Sequence, residues 1–134
     1  LHSLDLSSSQ DCLGYMLAAK SIERAADHAV SICRLVGQVK PLKIAPQVKN
    51  LAKRINEVFR DSIAALLNLD AKKAHKTIME AVRLSSAVDE VATSLAHPSR
   101  LTIENIKRIA EYAEDISEAA VNISSRYSIA SHTA

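Results

Sequence analysis

Residues 46–70 read PQVKNLAKRINEVFRDSIAALLNLD. Within them Val48, Leu51, Ile55, Val58, Phe59, Ile63 and Leu66 recur in steps of three and four. That places them on one stripe of a helix, with Lys49, Lys53, Arg54 and Asp61 on other faces. Pro46 suits a first helical turn, because its missing amide hydrogen is not needed there. The helix is expected to end near Leu69, and Asp70 is placed to cap the next one.

The same alternation continues on both sides. After Asp70, the positions Ala71, Ala74, Ile78, Ala81, Ser85, Val88, Ala92 and Leu95 predict a third helix closed by His97 and Pro98. Ser99 or Thr102 opens a fourth, with the stripe Ile106, Ile109, Ala113, Ile116, Ala120 and Ile123 and a frayed tail after Arg126. Upstream, Ser8 and Asp11 start a first helix. Its stripe is Tyr15, Ala19, Ile22, Ala26, Ala29, Cys33 and Val36, and it ends near Gly37 before the connection holding Pro41. The expectation is an all-α, antiparallel bundle of four helices forming one domain over residues 1–134. Ala26, Ala29, Ala81, Ala92, Ala113 and Ala120 would let backbones approach closely at the seams.

Composition agrees with this reading. The chain has 134 residues, 48% of them hydrophobic, with only 2 Gly and 3 Pro, too few turn-formers for a sheet protein of this length. No run approaches the ~20 uncharged residues that span a bilayer, so no membrane insertion is expected. The net charge of +2 is too mild for direct nucleic-acid binding. Cys12 and Cys33 stand apart, with no further thiol to make a zinc knuckle, and read as reduced core residues of a cytoplasmic protein. Leu1 opens the chain and no basic-then-apolar leader follows, so no secretory signal is expected and a fragment of a longer chain is compatible.

Chemistry is concentrated in acidic pairs. Glu23 and Asp27 are four apart, as are Glu111 and Asp115, and Glu114 and Glu118, so each pair stacks on one helix face. Like charges at that spacing repel, and a cation or a facing Arg or Lys would relieve the cost. The plain alternative is a set of solvated surface charges. Glu23 and Asp27 follow the stripe residues Ile22 and Ala26 by one position, while Glu111 and Asp115 follow Ile109 and Ala113 by two. By phase alone Glu114 is the better partner for Asp27.

Residues 20–30, KSIERAADHAV, resemble the signature helix of the PhoU family of phosphate-uptake regulators. Residues 108–116, RIAEYAEDI, look like its counterpart in the second repeat, in a form common among archaeal members. Ala87-Val88-Asp89-Glu90-Val91 fits the family's acidic middle-helix pattern. The resemblance implies tandem three-helix bundles in which the first helix here ends one repeat and the other three make a whole second repeat. Two helices of the first repeat are missing. It further implies iron or zinc bound through Glu23, Asp27, Glu111 and Asp115, with Asp89, Glu114 and His28 as lesser candidates, and a phosphate transporter, sensor or transcription regulator as protein partner. Arg24 and Arg108 are expected to neutralise these carboxylates rather than bind phosphate.

Catalysis is not expected. No His has Glu three residues before it, as a ferritin-like di-iron site requires, and HExxH, GxSxG and a phosphate-binding P-loop are absent. Cys33 near His28 would need a lowered thiol pKa, which an apolar seam opposes. Lys40, Lys43, Lys49, Lys53 and Arg54 form a basic cluster, and Glu104, Glu111, Glu114, Asp115 and Glu118 make the last helix acidic. Such asymmetry would orient a protein partner. Two readings follow: a PhoU-like regulatory interaction module, or a structural bundle whose small-residue seams make a homo-oligomer.

Overall fold

A computed structural model describes residues 9–38, 44–97 and 99–133. Among them are four helices and no strand: α1 (Ser9–Gln38), α2 (Pro46–Asn68), α3 (Ala71–Ala92) and α4 (Ser99–Thr133). The caps that delimit α2 and α3 are those the sequence implies. Pro46 occupies the first turn of α2. At its other end Leu69 adopts a left-handed conformation at φ 49°, and the amide of Asp70 returns to the Ala65 carbonyl at 2.9 Å. The Asp70 carboxylate then accepts from the Lys73 amide at 3.0 Å and starts α3. Ser124 Oγ donates to the Leu69 carbonyl at 3.0 Å, tying this turn to α4.

Helices α2, α3 and α4 bury one another. Val48, Leu51, Ile55 and Val58 meet Ala81, Leu84 and Val88 and, from α4, Ile103, Ile106, Ala110 and Ala113. A second cluster unites Ala65 and Leu66, Ala74, Ile116, Ala120 and Ile123, and Ala18 of α1 joins it. The alanines in both clusters bring helix backbones close, as their small side chains require. Buried hydroxyls of Ser62, Thr77 and Ser117 donate to carbonyls of their own helices, so they cost no unpaired donor.

Helix α1 is attached differently. It packs along α4 and, among the described residues, makes no backbone approach to α2 or α3. Its buried row is Asp11, Ala18, Ser21 and Ala25, with Tyr15, His28, Ile32 and Leu35 half-buried. The expected stripe is therefore corrected: Ala19, Ile22, Ala26, Ala29, Cys33 and Val36 are exposed, and of that set Tyr15 alone lies at the seam. With one neighbour instead of two, α1 selects the row that fits closest to α4, and much of its apolar surface stays outside. Cys33 is thus an exposed thiol and Cys12 a half-buried one, neither in the core.

Two ends also differ from expectation. Helix α3 stops at Ala92, where Thr93 Oγ1 turns back to the Glu90 carbonyl, rather than at His97. Helix α4 continues beyond Arg126 to Thr133. On α3 the expected Ala74, Ala81, Val88 and Ala92 are buried, Leu84 is buried as well, and Ile78 and Ser85 are only half-buried. Ser8, Lys40, Pro41, Lys43 and Pro98 lie outside the described residues.

Candidate functional site

Of the residues singled out from the sequence, the α1–α4 seam brings together Arg24, His28 and Asp115. Its α1 side repeats every seven residues, as Asp11, Ala18, Ala25 and Ile32 alternate with Gly14, Ser21, His28 and Leu35. At one end Arg126 Nε and Nη2 both reach Asp11 Oδ1 at 2.6 Å, and the Asp11 side chain is fully buried. A Cβ built on Gly14 would stand 3.1 Å from Ile123 Cδ1, so the glycine permits the close approach here. Toward the other end His28 Nδ1 lies 2.8 Å from Asn105 Oδ1. Asn105 donates its own amide hydrogen to the Leu101 carbonyl at 2.9 Å, which leaves its oxygen to accept from His28. The His28 ring rests 5.8 Å from that of Tyr112.

Midway, Asp115 meets Ser21 and Arg24 of α1. Burial raises the Asp115 pKa above the usual carboxylate value and Glu111 adds to the rise, while the Ser21 hydrogen bond and Arg24 oppose it. Glu114 is raised as well, first by burial and then by Glu118, Asp115 and Glu111. The Tyr15 phenol is held up by burial and by Tyr127 and Asp11.

The four carboxylates expected to ligate metal have other partners or face solvent. Glu23 lies 3.8 Å from Lys20 and is exposed. Asp27 is exposed on α1. Glu111 takes Arg108 at 2.9 Å and Lys107 at 3.9 Å. Asp89 is held by Lys107 at 2.8 Å. Among the described residues no three His, Cys, Asp or Glu side chains converge as a group able to hold a metal ion. Arg108 and Arg24 do face carboxylates, the neutralising role expected of them.

No protein-family model, curated protein or solved structure matches this chain. What the chain can do therefore rests on its own geometry.

Beside the seam runs an open groove of about 660 Å³, lined by Leu13, Leu17, Lys20, Arg24, Asp115 and Arg126 among others. It opens onto the outward face of α1, where Leu13, Met16 and Leu17 are 56%, 69% and 58% exposed. No helix among the described residues is long and apolar enough to cross a membrane. Asp11, His28 and Asn105 were not singled out as seam contacts by the stripe. The signal for Asp11 was available, since it precedes Ala18 and Ala25 by sevens.

Proposed function

We propose that the chain is a regulatory protein-interaction module of phosphate uptake and phosphate signalling, a PhoU-like bundle with antiparallel neighbours that works by binding rather than turnover, in the cytoplasm. One observation carries the reading. Among the described residues helix α1 is held by α4 alone, and it turns Leu13, Met16 and Leu17 outward, an apolar row at helical spacing that suits another helix. In support of the PhoU-like part, the helix with Glu23 and Asp27 lies against the helix with Glu111 and Asp115. The docking partner would be a component of a phosphate transporter, its sensor or a transcription regulator.

The test is photo-cross-linking in cells, with a reactive amino acid in place of Met16 on α1 or of Met79, equally exposed on α3. The reading expects a cross-link from position 16 to such a component, varying with phosphate supply, and none from position 79. Position 16 cross-linking to no phosphate-related protein would contradict it.

A further inference from the structure

Beside their seam, α1 and α4 form the walls of the open groove. Leu13, Leu17, Lys20 and Arg24 line it from α1, and Asp115 and Glu118 from α4. From Leu13 to Arg24 the α1 wall runs about 16 Å, roughly three turns of helix. Leu13 and Leu17 are both more than half exposed. A second helix laid along the groove would cover them.

Most charges at the groove already have a counter-charge. Arg126 is held by buried Asp11, Arg24 faces Asp115, and Lys20 lies 3.8 Å from Glu23. Glu111, one turn before Asp115 on α4, takes Arg108 and Lys107. Glu118 and Glu114 are left: among the described residues neither makes an ion pair or a hydrogen bond. They stand one turn apart on α4, Glu118 exposed and Glu114 half-buried. After burial, it is Glu118, Asp115 and Glu111 that raise the Glu114 pKa, so like charges crowd this side of the helix.

We propose that the partner docked on α1 is an amphipathic helix with basic residues beside its apolar row: its apolar side chains cover Leu13 and Leu17, and its Lys or Arg side chains reach Glu118 and Glu114. The apolar contact supplies attraction, and the ionic contact selects the partner. An acidic helix would gain Lys20, drawn away from Glu23, but it would set its own carboxylates against two that have no cation. Like charges brought together on a surface being covered select against it. The net charge of the whole chain, +2, works in the opposite sense and attracts acidic partners over distance. A preference for a basic helix therefore reports the groove. The inference rests on the reading of the outward α1 face as the docking surface, and deepens it by naming the chemistry of what docks.

The probes are two helical peptides of about 18 residues, five turns, with the same leucine row and either Lys or Glu at every flanking position. Fluorescence anisotropy measures each against the whole chain. The Lys peptide should bind at least about tenfold more tightly than the Glu peptide at low salt, and the gap should narrow as salt is raised. Glu114→Lys with Glu118→Lys should reverse the order, and Glu114→Gln with Glu118→Gln, which keeps the side-chain shape, should abolish it; helicity and melting are measured for both. Leu13→Asn with Leu17→Asn should weaken the Lys peptide at least about tenfold. A Lys peptide that does not bind up to about 1 mM overturns the inference, as does equal binding of the two peptides or a preference that survives the Gln pair. If the preference is absent while position 16 still cross-links a phosphate-related protein, the basic helix is refuted and the docking reading stands. If the preference is present and lost in the Gln pair while position 16 captures no such protein, the groove chemistry stands and the phosphate reading falls.

Discussion

Asp11 and Arg126 close one end of the α1–α4 seam, a fully buried carboxylate holding a guanidinium at 2.6 Å across residues far apart in sequence. The pair explains how a helix with a single neighbour stays docked. Asp11→Ala leaves Arg126, 30% exposed, partly desolvated and without its counter-charge, and should cost about 2–3 kcal/mol in urea unfolding. Asp11→Leu with Arg126→Met should recover most of that loss. Equal midpoints for wild type and Asp11→Ala would show the pair to be idle.

The two glycines of α1 predict opposite outcomes. Gly37 has nothing within 4 Å of a built Cβ, so Gly37→Ala should stabilise by up to about 1 kcal/mol through helix propensity. At Gly14 the same built atom falls 3.1 Å from buried Ile123, and Gly14→Val should cost about 1–3 kcal/mol by overpacking. Thermal melting of the two variants checks both signs.

Glu114 gives a pH dependence. Its folded pKa is raised by burial and then by Glu118, Asp115 and Glu111, so the folded state favours the protonated form. Above the folded pKa the charged group costs stability, and the cost disappears as pH falls through that value toward the unfolded one. Glu114→Gln should therefore stabilise at neutral pH by about 0.2–0.5 kcal/mol, the scale of one like-charge pair on an exposed helix. The gain should vanish at acid pH. A gain that is flat with pH would assign the effect to something other than charge.

Metal addition is the next discriminating measurement. Glu23 with Lys20, Glu111 with Arg108 and Lys107, and Asp115 with Ser21 and Arg24 leave no three-donor group among the described residues. Zinc or ferrous iron should accordingly leave the melting temperature unchanged. A rise on metal addition, lost in Glu111→Gln with Asp115→Asn, would restore the centre that the PhoU resemblance implies.

The legibility of this chain follows how many neighbours each helix has. On α2 the stripe from Val48 to Leu66 is packed as its spacing indicates, because two helices cover it and every apolar residue on that arc finds a partner. The Asp70 cap was readable because capping is local chemistry. On α1 the strongest apolar spacing pointed to Ala19, Ile22 and Ala26, yet Asp11, Ala18, Ser21 and Ala25 are buried. Periodicity ranks faces by hydrophobicity, and a lone helix-on-helix contact rewards small side chains and one buried ion pair instead. The acidic spacings were legible as helix stacks, but the basic and hydroxyl partners of those carboxylates depend on tertiary placement.

On the proposed function, the outward face of α1 is where this protein meets its partner. The most direct measurement of that is a phosphate-responsive reporter in cells whose only copy carries Met16→Glu and Leu17→Glu, two exposed positions whose change leaves the core intact. The account predicts wild-type abundance and helicity with loss of the phosphate response. An unaltered response in cells making the doubly substituted protein would contradict it.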